Sequence, residues 1–489
     1  MAGHKFSRGQ LEEILNEVIG KTLGEVDCNS VFDRAKNNPK ITGIAGDVIE
    51  QSVLGYPPDS KQAPDLLVDG RNVELKTTGI RKPKNKKKNF EFEAKEPMSI
   101  TAVSPEKITT ETFEDSSFWH KLENLLLVYY HYDSYETVKA IDYANFVIMG
   151  YQFHVFSEAD KKILEKDWQL VRDFIKKLQD NYSEPKTEYP RISSELRKDL
   201  MYIDIAPKWP NRPRFRLKRS TISNIVKTYF GEKFEQLNTD YSSFNELDAK
   251  LHDLTEIYRG KTIRELIEEF NIPLKLNKKG DVGKNISEQI VVKMFGAKSN
   301  KISKIDLFNK IGITAKTVTQ TSKGTKTEDT KLFRINFEEW TDKNVTFEES
   351  FIYEYFNNKF LFVIFEEASP GAKLYENKFI GFKRLVFHDC FIDSEVRKVW
   401  ENVRDLIINK KLVEEIRYKA DGTPIINRNG TISTSLNFPK SSDGDIFIRG
   451  SSQDSTKKTI KINGINMYPQ YLWIYGKRLM DFLNKTTFI

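Results

Sequence analysis

The stretch APDLLVDGRNVELKTTGI, from Ala63 to Ile80, decides the fold of the first half of the chain. Asp69-Gly70 is a strong two-residue hairpin turn, because such turns need residues that tolerate positive φ. The flanking DLLV and RNVELK then read as its two strands. On the second strand the period of two sends Glu74 and Lys76 to one face and Leu75 to the other. Asp65, at the start of the partner strand, comes beside Glu74. Two carboxylates brought together repel and desolvate badly unless a divalent cation sits between them, and hard oxygen ligands are what Mg²⁺ prefers. The pair predicts a metal, and phosphodiester hydrolysis is the reaction that uses such a site. Lys76 then orients or deprotonates the attacking water, or neutralises charge building on phosphorus.

Two neighbouring stretches add to this site. The helix IAGDVIEQSVLG places Ile44, Val48 and Ile49 on an apolar stripe while Glu50 stays polar among them. That position suits a carboxylate reaching inward to a metal; an ordinary surface glutamate is the alternative. WHKLENLLLVYY sets His120 and Lys121 immediately before a long apolar strand, where Lys121 can reach a phosphate or simply cap the rim.

At 489 residues the chain is long for a single hydrophobic core, so two or three domains are expected. The runs LLLVYY from Leu125 and FLFVIF from Phe360 are far below membrane-spanning length and read as buried strands. With no apolar signal core in MAGHKFSRGQLEE, no membrane partner is expected and the compartment is cytoplasmic. Cys28 and Cys390 have no paired spacing, which supports neither a disulfide framework nor a thiolate zinc site. The net charge of +7, from 77 basic and 70 acidic residues, is modest. Its concentration in RKPKNKKKN (Arg81 to Asn89) and RPRFRLKR (Arg212 to Arg219) matters more, since clustered cations release counterions from a phosphate backbone. A solvated loop is the competing reading, and it is weaker for the second run, where phenylalanine and leucine alternate with base.

The chain also repeats itself at long period. GKTLGEV at Gly20 returns as GKTIREL at Gly260, GIAGDVIEQ at Gly43 as GDVGKNISEQ at Gly280, VELKTTG at Val73 as ITAKTVTQ at Ile313, and FWHKLENLLLVYY at Phe118 as EYFNNKFLFVIF at Glu354. Four collinear matches at nearly one offset predict two related domains, 1–235 and 236–489, meeting near Gly231 to Ser243. Each copy reads as helices, then strands, then a helix-rich region, an α/β or α+β layout. In the second copy Asp306, Lys316 and Lys359 stand at corresponding positions, but Thr314 replaces Glu74, and either Ser287 or Glu288 falls in the Glu50 slot. A neutral hydroxyl neither balances nor binds a cation comparably, so this copy is expected to be degenerate and inert, while basic residues such as Lys477 and Arg478 leave it able to bind DNA.

Pro64, Asp65, Glu74 and Lys76 spell the P-D-x(n)-(D/E)-x-K signature of the restriction-endonuclease-like fold. Together with G-x-x-G-x-x-x-E ending in Glu50, H-K-L at His120 to Leu122, IAPKW around Lys208 and RFRLKRSTISNIV, the first half resembles the mismatch-repair nicking enzyme MutH and the GATC-specific type II restriction endonucleases related to it. The resemblance implies two tandem MutH-like domains and Mg²⁺-dependent cutting of double-stranded DNA at GATC. It implies Glu50, Asp65 and Glu74 as metal ligands, with Lys76 and Lys121 in catalysis. Lys208 would read a base edge such as that of guanine, and Arg214, Arg216, Lys218 and Arg219 would form the basic DNA-contacting strand and helix start. Arg216 stands where the nicking enzymes carry a tyrosine near the methylated adenine, which implies tolerance of adenine methylation. One intact site per chain faces two DNA strands, so the second domain is expected to hold another DNA site or to mediate self-association. The competing functions are a strand-nicking repair endonuclease and a non-catalytic DNA-binding regulator.

Overall fold

The computed structural model describes residues 4–38, 41–57, 64–83, 92–134, 138–207, 209–277, 280–325, 328–343, 345–427, 430–451 and 458–489. Packing gathers the chain into two compact units, and they do not follow the 1–235 and 236–489 halves: the first takes residues 285–313 in addition to the chain up to Leu254, and the second takes Thr255–Lys284 and Thr314–Ile489.

The strands of the first unit are β1 (His4–Phe6), β2 (Leu66–Val68), β3 (Arg71–Arg81), β4 (Glu93–Ala94), β5 (Met98–Ala102), β6 (Leu125–His131), β7 (Val147–His154), β8 (Ile203–Ala206) and β9 (Arg214–Leu217). A mixed sheet runs in the order β1-β2-β3-β6-β7 with β4 beside β3, and a small antiparallel sheet runs β5-β9-β8. The hairpin forms as its turn chemistry requires. Leu66 pairs with Val73 and Val68 with Arg71, and both turn residues take positive φ, 46° at Asp69 and 81° at Gly70. β3 then runs parallel to β6, and β6 antiparallel to β7. Flanked by strands on both sides, β6 is buried from Leu125 to Tyr130, which is why its sequence is continuously apolar rather than alternating. The helix Glu158–Asn181, capped by Ser157, buries Ile163, Leu164, Trp168, Val171, Ile175 and Leu178 on one stripe.

The second unit contains β10 (Thr314–Gln320), β11 (Thr330–Arg334), β12 (Phe360–Glu366), β13 (Lys378–Leu385), a hairpin of β14 (Glu414–Ile416) and β15 (Thr434–Leu436), β16 (Ile446–Gly450), a hairpin of β17 (Ile460–Ile462) and β18 (Ile465–Met467), and β19 (Gln470–Ile474). β10 runs parallel to β12, β12 antiparallel to β13, and a second small sheet has the order β11-β19-β16. Local details recur with the pairing. β7 carries a bulge where its Gly150, φ 152°, meets Tyr129 of β6, and β13 carries one where its Gly381, φ 147°, meets Ile364 of β12. Added Cβ atoms there would collide with Tyr229 in one unit, and with Thr255 and Phe488 in the other. In GKTLGEV the Thr22 amide donates to Glu25 at 2.7 Å, in GKTIREL the Thr262 amide donates to Glu265 at 2.7 Å, and each threonine bridges the last strand of its sheet, at Val147 and Lys378.

The helix within GDVGKNISEQ begins only at Ile286, and residues 285–313 correct one expectation. Asp306 is not a hairpin residue like Asp65. It opens the helix Asp306–Ile311 and pairs with Lys310 at 2.8 Å. Lys310 also donates to both carboxylate oxygens of Asp160, at 2.8 and 3.0 Å, and its carbonyl accepts from Ser220 and Thr221. Burial is the largest single influence on both groups, but neighbour charge and hydrogen bonds together outweigh it, so the Asp160 carboxyl is held below the usual range and the Lys310 ammonium above its own. No helix among the described residues is long and apolar enough to cross a membrane, and Cys28 and Cys390 are free and exposed.

Lys310 is the shared cation of two nearly buried carboxylates, so Lys310→Met strands both. The expected loss is about 3 kcal/mol of unfolding free energy in the first unit, read by urea denaturation of the full chain. An unchanged midpoint would show that the residue 285–313 segment is not needed by that unit.

Candidate active site

Glu74 is the centre of the first-unit site. It lies on β3 opposite the position that Asp65 takes just before β2, and its amide donates to the Asn124 carbonyl at 3.0 Å, which locks β3 against the start of β6. The strand period places Lys76 on the same face, and its Nζ donates to Glu74 Oε1 at 2.6 Å. Lys121 arrives from the opposite direction. The short helix Ser117–His120, capped by Ser116 and anchored by buried Phe118 and Trp119, ends at Lys121, whose Nζ donates to the same Oε1 at 2.8 Å. The side chain of Glu74 is only 1% exposed, against 23% for Lys76 and 11% for Lys121. Its other oxygen, Oε2, is buried without a hydrogen-bond partner.

Asp65 Oδ2 accepts from the Leu75 amide at 3.0 Å, which fixes this carboxylate beside the strand. Burial raises its pKa first, and the Glu74 charge raises it further. Glu50 comes from the third element. The helix Ile44–Val48 buries Ile44, Ala45 and Val48, then widens into a π-helical turn over Ile49–Val53 that carries Glu50, an irregularity frequent at functional sites. Burial pushes the Glu50 carboxyl up to about 7, with further rises from the charges of Asp65, Asp47 and Glu74 against an opposing pull from Lys76. Glu50, Asp65 and Glu74 therefore sense one another electrostatically, although no three acidic, histidine or cysteine side chains among the described residues already stand in ligating geometry. Excess negative charge in a desolvated place, together with an orphaned carboxylate oxygen, is what a divalent cation would relieve, so the residues fit a metal.

The sequence reading missed Asp47. It lies three residues before Glu50, within one helical turn, and Arg34 holds it at 2.9 Å. The three-residue spacing in GDVIE was the available signal. The expected DNA-contacting residues divide into groups. Lys208, and residues 84–89 of the first basic run, lie outside the described residues. Arg214 is exposed on β9, and Arg216 on the same face makes a two-point pair with Asp204, at 2.7 and 3.1 Å. Lys218 and Arg219 correct the expectation, because their heads turn inward. Lys218 Nζ donates to the Leu200 and Met201 carbonyls at 2.6 and 2.7 Å, and Arg219 to the Ala94 carbonyl and the Glu93 carboxylate. In the second unit Lys316 Nζ donates to the Leu332 carbonyl at 3.1 Å, and burial alone holds it below the usual ammonium range. Lys359 is buried, and its carbonyl accepts from the Thr314 amide as that of Asn124 accepts from Glu74. Ser287 is buried, and Glu288 accepts from the Ile302 amide, so neither side chain repeats Glu50.

Glu74 and Lys76 on β3, Asp65 at the entry to β2, Lys121 from the turn before β6 and Glu50 from a preceding helix form a set whose chemistry fits a nuclease site. Residues 54–167 match the family model described as DNA mismatch repair enzyme MutH, a span that includes Asp65, Glu74, Lys76 and Lys121. Over 427 residues the chain is 26% identical to the Type II restriction enzyme Sau3AI of Staphylococcus aureus, covering 83% of this chain and 80% of that one. The protein is a site-specific nuclease with a MutH-like domain. Over most of its length the chain resembles a type II restriction endonuclease of the Sau3AI type.

The geometry makes Glu74 the counter-charge of two lysines. In the metal-free protein, Glu74→Gln leaves Lys76 and Lys121 without their carboxylate. Relief of Asp65 repulsion acts the other way, but two direct contacts at 2.6 and 2.8 Å outweigh it. Thermal unfolding in EDTA should show a loss of about 2 kcal/mol, part of which Lys121→Met restores in the double variant. Additive effects of the two substitutions would refute the shared pairing.

Proposed function

We propose that the chain makes Mg²⁺-dependent double-strand cuts in duplex DNA at GATC, with Glu50, Asp65 and Glu74 holding the metal. The observation that carries this reading is the Glu74 carboxylate, buried between Lys76 and Lys121 with its second oxygen unpartnered. Mg²⁺ bound there would polarise the scissile phosphate and acidify an attacking water. A cation held there would draw on the Glu74 charge that Lys76 and Lys121 now share. Lys76, the more exposed, orients the water or takes its proton. Lys121, held by the buried Trp119 turn, meets the charge that builds on the phosphate oxygens. The Leu75 amide fixes the Asp65 carboxylate, which would help it hold the metal.

The proposed organisation is a catalytic domain at 1–235 and a degenerate MutH-like copy at 236–489. The matching strand order, the two bulges at Gly150 and Gly381 and the repeated Thr22–Glu25 and Thr262–Glu265 turns support it. Thr314 at the Glu74 position removes the central carboxylate, which makes the copy inert in hydrolysis. In its place the copy would grip a second DNA site or another chain, supplying what one active site lacks on a two-stranded target. Lys208, Arg214 and Arg216 are proposed to face the DNA of the catalytic domain, in the cytoplasm.

Incubation with plasmid and Mg²⁺ should give linear fragments with ends at GATC, and Glu74→Gln should cut more than about a hundredfold more slowly while still binding DNA. Nicked circles would favour the strand-nicking reading, and an inactive parent protein the regulator. Because Arg216 replaces a tyrosine expected near the adenine, adenine-methylated and unmethylated GATC duplexes should be cut at comparable rates. Strict discrimination in a side-by-side digest would remove that role from Arg216.

A further inference from the structure

The small sheet β11-β19-β16 has two very different faces. Ile446, Ile448, Leu472 and Ile474 enter the core of the second unit. Alternation sends Tyr471 and Trp473 of the central strand to the other side. Register then flanks Trp473 with Lys331 and Phe447, and flanks Tyr471 with Arg334 and Arg449. The cations lie on ring faces. Lys331 Nζ is 3.2 Å from the Tyr471 ring centre and 5.9 Å from that of Trp473, while the Arg449 guanidinium is 5.0 Å from Phe447 and 5.2 Å from Trp473. Tyr471 and Trp473 are half-buried, and Arg334 and Arg449 are exposed. Arg449 meets Asp329 at 3.0 Å, and desolvation against the rings holds Lys331 below the usual ammonium range.

Ring faces attract a cation without cancelling its charge, whereas a carboxylate partner would cancel it. Three cations with one carboxylate beside them therefore present net positive charge on a flat, two-row surface about as wide as three strands, roughly 10 Å. A polyanion with regularly spaced charges suits such a surface, and Lys and Arg heads over aromatic floors suit phosphates beside sugar edges. The same place in the first unit, the outer face of β9 in β5-β9-β8, shows Arg214 and Arg216.

We propose that the Lys331, Arg334, Arg449, Tyr471 and Trp473 face is the duplex-DNA contact of the second unit, with the three cations on backbone phosphates. This rests on the reading that the second unit binds a DNA site of its own. The full chain, in Ca²⁺ so that no cutting intervenes, is titrated with a short single-GATC duplex, and duplexes per chain are counted by analytical ultracentrifugation. The parent chain should bind two duplexes and the Lys331→Gln/Arg449→Gln chain one, with its salt slope shallower by about two. A parent chain that binds one duplex overturns the second-site reading and this face together. A double variant that still binds two leaves that reading standing and overturns the face. As a check independent of variant folding, Lys331 of the parent chain should be protected from acetylation when duplex is added; equal acetylation with and without DNA overturns the proposal.

Discussion

A single carboxylate oxygen, Glu74 Oε1, accepts from two lysines at 2.6 and 2.8 Å in a place that is 1% exposed, and the first unit is arranged to make that contact possible. A carboxylate there is costly to desolvate unless cations meet it. One cation is supplied by the strand itself two residues on. The other needs a parallel neighbour, β6, entered from a capped turn that points Lys121 back at β3. Parallel pairing is thus a functional constraint as well as a folding one, since an antiparallel neighbour would have brought the wrong end of the preceding turn to the site.

The unpartnered Oε2 gives the arrangement its chemical tension. With burial and the Asp65 charge raising Glu50, and burial and the Glu74 charge raising Asp65, the site holds more negative charge than its lysines neutralise at contact distance. In the second unit β10 has Thr314 two residues before Lys316, Lys316 donates to a backbone carbonyl of β11, and burial holds its ammonium below the usual range. The same lysine position serves ion pairing in one unit and strand-to-strand fastening in the other.

Segment 285–313 shows why similarity along a chain and packing in space are separate questions. Its sequence aligns with the stretch around Glu50 and Asp65, yet Lys310 neutralises Asp160, Asp306 opens a helix, and the whole segment packs with the first unit. Placement follows from which buried charges can be paired and which helix faces can be covered, whatever the local sequence resembles.

Turn chemistry and strand period determined much from the sequence alone: the Asp69-Gly70 hairpin, the shared face of Glu74 and Lys76, the buried strands from Leu125 and Phe360, and Glu50 on an otherwise apolar helix stripe. These follow from interactions within a few residues, which a local pattern records. The convergence of Lys121 on Glu74 across 47 residues was only inferred, by resemblance. The inward turn of Lys218 and Arg219, the capture of Arg216 by Asp204 and the ring-borne cations at Tyr471 and Trp473 left no local pattern at all. Whether a basic side chain faces a polyanion or an internal carbonyl depends on which acceptors the distant chain brings within 3 Å or so, and that was decided by tertiary structure.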